Sequence, residues 1–362
     1  MIMLAFNTLA LSDEERIVRL INKIAYGLAV AIPVAVLAGC SGGGGAAGGG
    51  AAPSPAPEVS SIVIDTAPTA DAAGIYIAYD DGFFRRQGLT VKIVPTNGGA
   101  SGLADLQDGK AQLLEGSYVS VILAQVAGKF GLTQAAVKPI NLRVVADASQ
   151  LKPGSQALYV LPGSPYQTVA DVAKAHATVG VNSPDNIASV LLGSLLASDG
   201  YPLKAIRQTP EVLPLMPALL AAHKIDAAWL PEPFGTEAEQ EYGAVQLADF
   251  DQGALQDFPI GSVVGSTAWV RQYPNTIGAF LRAFQQGQQV ADTQRSVVEQ
   301  ALMTSGVAPT EEIAATMALD TYPLAMDVPV MQRVADAMYA IGVLNRRYNI
   351  VGMIQPEPGE VK

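Results

Sequence analysis

The sequence predicts an α/β fold in two lobes, and three observations carry that prediction. The chain has 362 residues, enough for two globular domains of ordinary size. Short apolar runs alternate along it with segments whose apolar residues recur every three or four positions, a pattern typical of largely parallel sheets flanked by helices. Residues 103–118 and 219–233 also form a weak internal repeat, because each reads as helix, turn, strand and loop. If the two copies belong to separate sheets, their loops lie at equivalent carboxyl edges, where open α/β sheets bind ligands, and the facing edges form a cleft.

Composition and charge exclude several classes of protein. Apolar residues make up 49% of the chain, which is ample surface to bury and rules out disorder over most of its length. The net charge of −11 argues against a nucleic-acid-binding protein, which needs a basic face to displace phosphate counterions. A single cysteine and two histidines exclude a disulfide framework and leave little material for a zinc site. We therefore expect no metal and no cofactor.

The N-terminal segment predicts export from the cytoplasm. Residues 24–39 are sixteen uncharged, mostly apolar residues, too few for the ~20 that span a bilayer as a helix but the usual length of a signal-peptide core. Basic residues precede this core, among them Lys23. Residues 37–40, Leu-Ala-Gly-Cys, resemble the lipobox of bacterial lipoproteins. That resemblance implies a signal peptide over residues 1–39, cleavage before Cys40, and a diacylglyceryl group on the Cys40 thiol.

A tether is predicted at residues 40–57. After the cysteine, residues 41–57 contain seven glycines, five alanines, three prolines, two serines and no charged residue. Such a segment cannot build a core and behaves as a flexible linker. The folded part is therefore expected to begin near residue 58.

Strands and helices are predicted from the spacing of apolar residues. Leu89, Val91 and Ile93 alternate with Thr90 and Lys92, which predicts a strand. Further strands are predicted at the apolar runs 62–64, 142–145, 158–161, 179–181, 225–230 and 262–270. Helical spacing predicts helices at residues 187–195 and 277–284. The first of these is expected to begin at Ser183 and Pro184, since a capping hydroxyl before a proline favours helix initiation.

Three segments resemble a known family. Residues 74–91, GIYIAYDDGFFRRQGLTV, are similar to the opening motif of bacterial ABC-transporter solute-binding proteins, specifically the family that binds nitrate, sulfonates, taurine and the pyrimidine precursor of thiamine. Residues 226–234, DAAWLPEPF, and residues 273–283, where Tyr-Pro leads into a helix with Phe-Leu-Arg-Ala, agree with that family. The resemblance extends over about residues 59–344.

The resemblance implies a fold, a function and partners. The fold is the two-lobe type II periplasmic-binding-protein fold, with residues 58–150 and 260–362 in one lobe, residues 151–259 in the other, and a ligand cleft between them. The implied function is capture of a small solute outside the cytoplasm and its delivery to an ABC permease driven by a cytoplasmic ATPase. The sequence has no P-loop, so ATP chemistry belongs to those partners. The protein is expected to act as a monomer, anchored by lipid to the outer face of the cell membrane or in the periplasm.

Candidate ligand contacts come from helix starts and from loops at strand ends. Free N–H groups at a helix start favour a negative or hydrogen-bond-accepting group, and polar side chains on strand-end loops face the cleft. The loop after the first strand adds further candidates, by its resemblance to the pyrimidine-precursor binders. The predicted contacts are Thr69, Asp71, Tyr76, Ser101, Ser117, Tyr118, Asn182, Ser183, Asn186, Trp229 and Glu232.

Two classes of solute remain open. In the pyrimidine-precursor binders the first-strand loop carries a stacking tryptophan and a histidine; Thr66 and Ala72 stand at those places, which disfavours a thiamine pyrimidine. A small oxyanion such as nitrate or a sulfonate suits helix N-termini. The candidate loops contain no arginine or lysine, however, and Asp71 and Glu232 suit a ligand that donates N–H groups. The sequence slightly favours a small nitrogen- or sulfur-containing organic solute.

Two other functions compete with transport. Relatives of this fold synthesise the thiamine pyrimidine from a vitamin B6 cofactor, but that chemistry needs a reactive histidine where this chain has Ala72. A lipoprotein that senses or adheres, with no transporter, is the other alternative. We expect no enzymatic activity and no catalytic residues.

Overall fold

Two mixed five-stranded sheets organise the part of the chain that the structure, a computed structural model, describes, which is residues 54–131 and 139–355. The first sheet contains β1 (Ser61–Thr66), β2 (Thr90–Pro95), β3 (Leu113–Ser117), β4 (Leu142–Gln150) and β10 (Pro259–Ser266), in the order β2-β1-β3-β10-β4. The second contains β5 (Gln156–Val160), β6 (Thr178–Val181), β7 (Arg207–Pro210), β8 (Ala227–Pro231) and β9 (Val245–Asp249), in the order β7-β6-β8-β5-β9. The predicted signal peptide, lipidated Cys40 and most of the tether lie outside the described residues.

The two sheets have the same topology. In each, three strands pair in parallel and the fourth in order, β10 or β5, runs antiparallel to both its neighbours. The internal repeat accounts for this likeness, because its two strands are β3 and β8, the central strands of their sheets. The two copies thus belong to separate sheets, which is the condition under which their loops lie at equivalent edges.

Helices cover both sheets. In chain order they are α1 (Ala73–Asp80), α2 (Phe83–Arg86), α3 (Gly99–Gln107), α4 (Tyr118–Phe130), α5 (Val169–Lys174), α6 (Ile187–Ser198), α7 (Met216–Ala221), α8 (Phe234–Tyr242), α9 (Thr267–Gln272), α10 (Pro274–Thr293), α11 (Arg295–Thr304), α12 (Glu311–Thr316) and α13 (Val328–Ala340). Among the residues described, no helix combines the length and the apolar character needed to cross a membrane.

The chain passes between the sheets twice. Residues 151–155 lead from β4 to β5, and residues 250–258 lead from β9 back to β10. The two segments run side by side, since the N–H of Leu151 donates to the carbonyl of Phe258 at 2.9 Å. The largest apolar core is continuous across this junction and includes side chains of α4 and α6, which cover different sheets. The two lobes therefore share part of their hydrophobic core.

Two predicted boundaries were wrong. Helix α6 begins at Ile187 with Asn186 as its N-cap, whereas the sequence placed the start at Ser183. Asp185 has φ of +57°, which a right-handed helix cannot include, and the hydroxyl of Ser183 donates to the carbonyl of Pro184 at 3.1 Å. The strand predicted at 262–270 ends at Ser266, whose hydroxyl accepts from the N–H of Trp269 and caps α9.

Close packing between α1 and α10 gives a stability prediction. A Cβ at Gly287 in α10 would overlap the carbonyl oxygen of Gly74 in α1. Gly287→Ala should therefore lower the free energy of unfolding by about 1–3 kcal/mol through overpacking. Denaturant unfolding followed by circular dichroism measures the change.

Gly278→Ala is the matched control, because Gly278 lies in the same helix. A Cβ there would approach only the guanidinium of Arg282, at 3.3 Å, and that side chain is flexible. This variant should be neutral or more stable by up to about 1 kcal/mol, the gain in helix propensity. Equal destabilisation by both substitutions would show that Gly287 of α10 does not closely approach the carbonyl of Gly74 in α1.

Candidate ligand-binding site

A cavity of about 40 Å³ lies where the edges of the two sheets meet. Its walls come from the segments after β1, β2, β6 and β7, from the C-terminal halves of β3 and β8, and from the first residues of the reversed strands β5 and β10. Parallel strands present their carboxyl ends on one edge, and each reversed strand presents its amino end on that same edge. The fold therefore brings residues on or after eight strands to one place, as in other open α/β sheets.

Asp71 is the central polar group on the side of the first sheet. It lies in the single 3₁₀ turn Ala70–Ala72 that follows β1, and its Oδ2 accepts from the hydroxyl of Thr69 at 2.9 Å. Its Oδ1 receives two longer contacts, from Ser149 Oγ at 3.4 Å and from Gln156 Nε2 at 3.5 Å. The second of these crosses from one lobe to the other.

Glu115 is a second carboxyl in the cavity wall, and the sequence analysis missed it. It lies in the central strand β3, is only 3% exposed, and accepts one hydrogen bond, from Thr66 Oγ1 to Oε2 at 2.5 Å. Burial, together with the nearby charge of Asp71, raises the pKa of Glu115 to about 8. A glutamate inside the run Leu-Leu-Glu-Gly-Ser, one residue before a loop already predicted to face the cleft, was the available signal.

Two more buried carboxyls lie outside the cavity lining: Asp320, which is close to Asp71, and Glu232, which is close to Asp320. Asp320 is 3% exposed, and burial, with the charge of Asp71 beside it, raises its pKa well above the usual range. Burial also raises the pKa of Glu232 to about 7, although Thr236 donates to it from both its N–H and its hydroxyl. The region around the cavity is therefore rich in carboxyls held away from water.

Trp229 and Gln156 form the wall on the side of the second sheet. Trp229 is buried in β8, and its indole N–H donates to Gln156 Oε1 at 3.2 Å. That bond occupies the amide oxygen of Gln156 and turns its NH₂ group toward Asp71. Trp229 thus positions Gln156 and also lines the cavity.

Asn97 joins the two lobes beside the cavity. It follows β2 of the first sheet, and its Nδ2 reaches the carbonyls of Asn182 (3.4 Å) and Glu211 (3.3 Å) in the second lobe. Its Oδ1 accepts from the N–H of Leu213 at 3.1 Å, and its carbonyl accepts from Asn182 Nδ2 at 3.2 Å. One asparagine therefore holds two segments of the opposite lobe.

The contact continues through Asn186, the N-cap of α6. The hydroxyl of Ser120 in α4 donates to Asn186 Oδ1 at 2.7 Å, and Asn186 Nδ2 donates to Asn182 Oδ1 at 3.2 Å. We call Asn97, Asn182, Asn186 and Ser120 the interlobe hydrogen-bond chain. Because these bonds run directly between lobes, the structure shows the two lobes closed against each other on this side.

Six of the eleven predicted contact residues line the cavity. They are Thr69, Asp71, Ser117, Asn182, Asn186 and Trp229. Of the six, Asn182 and Asn186 direct their amides into the interlobe hydrogen-bond chain, and Ser117 caps α4 by accepting from the N–H of Val119.

The other five predicted residues do not line the cavity. Tyr76 and Tyr118 are buried in apolar cores, because each lies on the inward face of its helix. Ser101 is exposed on α3, where its hydroxyl donates to the carbonyl of Gly98. Ser183 bonds to Pro184 within the turn before α6. Glu232 is directed away from the cavity, toward Thr236 at the start of α8.

The charges in the cavity wall have one sign. Asp71 and Glu115 contribute carboxyls, and none of the residues that line the cavity is a lysine, arginine or histidine. Backbone N–H groups at the start of α6, near Ile187, supply donors. The arrangement can therefore accept hydrogen bonds at the carboxyls and donate them at one helix start.

Comparison with known families identifies the chain. A model of the NMT1-like family matches residues 55–305, more than two thirds of the sequence. The chain belongs to the NMT1-like family. Together with the structural matches that follow, this confirms the resemblance to the nitrate-, sulfonate- and taurine-binding proteins. No curated protein matches the sequence.

Solved structures match the fold at low sequence identity. The alkanesulfonate-binding protein SsuA from Xanthomonas axonopodis pv. citri, bound to MOPS, is 18% identical over 82% of this chain and 99% of its own, with a TM-score of 0.67. The periplasmic nitrate-binding protein NrtA from Synechocystis PCC 6803 is 19% identical over 68% of this chain and 66% of its own, with a TM-score of 0.60. The desulfurization enzyme DSZB is 15% identical over 83% and 97%, with a TM-score of 0.60. The expected two-lobe fold is confirmed.

The buried Glu115 gives a prediction about pH. The folded chain binds a proton at this carboxyl up to about pH 8, whereas the ordinary pKa is 4.5. Between these values the folded state holds more protons than the unfolded state, so the free energy of unfolding falls as the pH rises. Glu115→Gln should make that slope less negative by up to about 1.4 kcal/mol per pH unit.

Denaturant unfolding at several pH values between 5 and 8 measures the slope. Asp336→Asn is the control, because the side chain of Asp336 is about half exposed on α13, outside the cavity lining. Its slope should match that of the unmodified protein. A Glu115→Gln slope that also matches would mean that Glu115 is not protonated in the folded chain.

Proposed function

We propose that this protein is the extracytoplasmic solute-binding component of an ABC importer. It captures a small nitrogen- or sulfur-containing organic solute or an oxyanion and delivers it to the permease. The observation that carries the proposal is a polar cavity walled by both sheets at their facing edges, in a chain of this family. A solute held there contacts both lobes at once and so favours the closed arrangement over an open one.

The two lobes act as a clamp in this proposal. One lobe comprises residues 58–150 and 260–362, and the other comprises residues 151–259. The bound solute contacts Asp71 and Glu115 from the first lobe and Trp229 from the second. The interlobe hydrogen-bond chain adds direct contacts between lobes, so the free energy of closure does not come from the solute alone.

Export and anchoring complete the proposal. The signal peptide over residues 1–39 directs the chain across the membrane, and the thiol of Cys40 carries the lipid. Each buried methylene of an acyl chain contributes about 0.8 kcal/mol, so two chains anchor the protein stably. The tether at residues 40–57 lets a monomeric clamp reach the permease, whose cytoplasmic ATPase drives transport. NrtA, described as a periplasmic nitrate-binding protein, supports this location.

An enzymatic function is the second candidate, because DSZB, a desulfurization enzyme, has the same fold. The residues around the cavity favour binding. Synthesis of a pyrimidine precursor would need a histidine at position 72, which is a buried alanine. His176 and His223 are exposed and do not line the cavity. The cavity wall supplies carboxyls and amides, which suit recognition.

A thermal-shift screen tests the proposed function. The purified protein is melted with nitrate, taurine, alkylsulfonates, amines and aminopyrimidines, and at least one solute should raise the melting temperature. A solute present at 100 times its Kd adds about 2.7 kcal/mol to the free energy of unfolding.

Asn97→Ala is the matched variant for this screen. It removes bonds of the interlobe hydrogen-bond chain and leaves the cavity lining intact. Each solute that binds should bind this variant more weakly, because the closed form is less populated. Asn345→Ala, which removes one exposed hydrogen bond to Phe130, should bind as the unmodified protein does. Failure of every solute to shift the melting temperature would count against the proposed function.

A further inference from the structure

The charge of the cavity wall narrows the class of solute. Asp71 and Glu115 line the cavity, Asp320 lies close to Asp71, and Glu232 lies close to Asp320. No lysine, arginine or histidine is among the lining residues to neutralise them. A solute that enters this cavity therefore meets acceptor oxygens and negative charge on the side of the first sheet.

Glu115 is directed into the cavity and incompletely satisfied. It is more than nine-tenths buried, and within residues 54–131 and 139–355 only Thr66 donates to it, at Oε2. Its Oε1 lies beside Gly261, another lining residue, where an added Cβ would come within 2.7 Å of it. Because Gly261 has no side chain, Oε1 stays uncovered and available as an acceptor.

Asp71 presents a second available acceptor. Its Oδ2 is held by Thr69 at 2.9 Å, but the contacts of its Oδ1 with Ser149 and Gln156 are long, at 3.4 and 3.5 Å. Bonds of that length are weak compared with the usual 2.7–3.2 Å. Asp71, which also shares a side-chain hydrogen bond with Asp320, and Glu115 therefore each have one carboxyl oxygen that can accept a stronger bond from a ligand.

We infer that the cavity binds the protonated amino group of its solute between the carboxyls of Asp71 and Glu115. The inference rests on the proposed solute-binding function and names the group that this site recognises. A cavity of about 40 Å³ is roughly a quarter of the volume of a ~150 Å³ cavity that binds benzene, so an ammonium-sized head group fits the closed arrangement. Trp229 in the opposite wall adds an aromatic surface, which attracts cations.

The alternatives fit the same wall less well. Within the described part of the chain, no group of three histidine, cysteine, aspartate or glutamate residues is arranged to hold a metal ion. An oxyanion could use the N–H groups at the start of α6, but it would lie beside the charge of Asp71 with no lining cation to offset it, and like charges repel. An ammonium group donates up to three hydrogen bonds and carries the opposite charge.

Protonation supports this assignment. Burial and the charge of Asp71 raise the pKa of Glu115 to about 8, so the free protein holds a proton there at neutral pH. A bound ammonium favours the ionised carboxylate and expels that proton. The other titratable groups near the carboxyls are Asp320, Glu232, Tyr76 and Tyr322, with Arg295 near Tyr322. Both tyrosines stay neutral, because burial raises their pKa values.

Three matched probes test the inference by calorimetry at pH 7. Ethylammonium carries the amino group alone, taurine carries amino and sulfonate groups, and isethionate replaces the amino group of taurine with a hydroxyl. Ethylammonium and taurine should bind, and isethionate should bind at least tenfold more weakly than taurine. Equal binding of taurine and isethionate, or binding of sulfonates without ethylammonium, would overturn the inference.

Charge-neutral variants locate the group. Asp71→Asn and Glu115→Gln keep side-chain size, and each should weaken ethylammonium binding at least tenfold, whereas the exposed Asp336→Asn should leave it unchanged. Thermal melts recorded alongside show which variants fold. If a variant does not fold, the three probes on the unmodified protein still test the inference.

If none of the three probes binds but another solute in the screen raises the melting temperature, the inference fails and the solute-binding function stands. If no solute binds at all, both fail.

Discussion

The removal of carboxyl groups from water at the meeting edge of two sheets is the constraint on which the site depends. Glu115 lies in the central strand of its sheet and has one hydrogen-bond donor, so the protein can bury it only with a proton or with a cation beside it. Asp320, which is close to Asp71, is buried in the same way. For stability alone, uncharged side chains at these positions would be more favourable than buried carboxyls, yet the fold keeps the carboxyls. The ammonium group that we propose for the solute would supply the missing positive charge and hydrogen-bond donors.

Closure of the lobes and recognition of the solute use different residues. The interlobe hydrogen-bond chain of Asn97, Asn182, Asn186 and Ser120 holds the lobes together, and the carboxyls beside it face the cavity. The apolar core is also continuous between lobes. In the proposed function, a clamp built this way closes around a small head group with few contacts from the solute, and the charge of the wall provides selectivity.

The sequence predicted the architecture better than the site. Hydrophobic spacing and the internal repeat placed β3 and β8 correctly, because both effects are local. Apolar spacing did not reveal β7 and β9. Both strands lie at sheet edges and are partly exposed, so neither contains an apolar run. Glu115 and Asp320 are about 200 residues apart in sequence, and only the tertiary fold brings them near Asp71. Asn182 and Asn186 were selected from the sequence, and both line the cavity. Their partner Asn97 belongs to the other lobe, and no local sequence pattern reveals a contact between lobes.

The protonation state of Glu115 is the most direct test of whether an ammonium group binds between Asp71 and Glu115. Carbon-13 NMR of its side-chain carboxyl, assigned with the Glu115→Gln variant, distinguishes the acid from the carboxylate at pH 7. Ammonium binding between Asp71 and Glu115 predicts a protonated carboxyl in the free protein that becomes ionised when ethylammonium binds. A carboxyl already ionised in the free protein, or one that stays protonated in the complex, would contradict it.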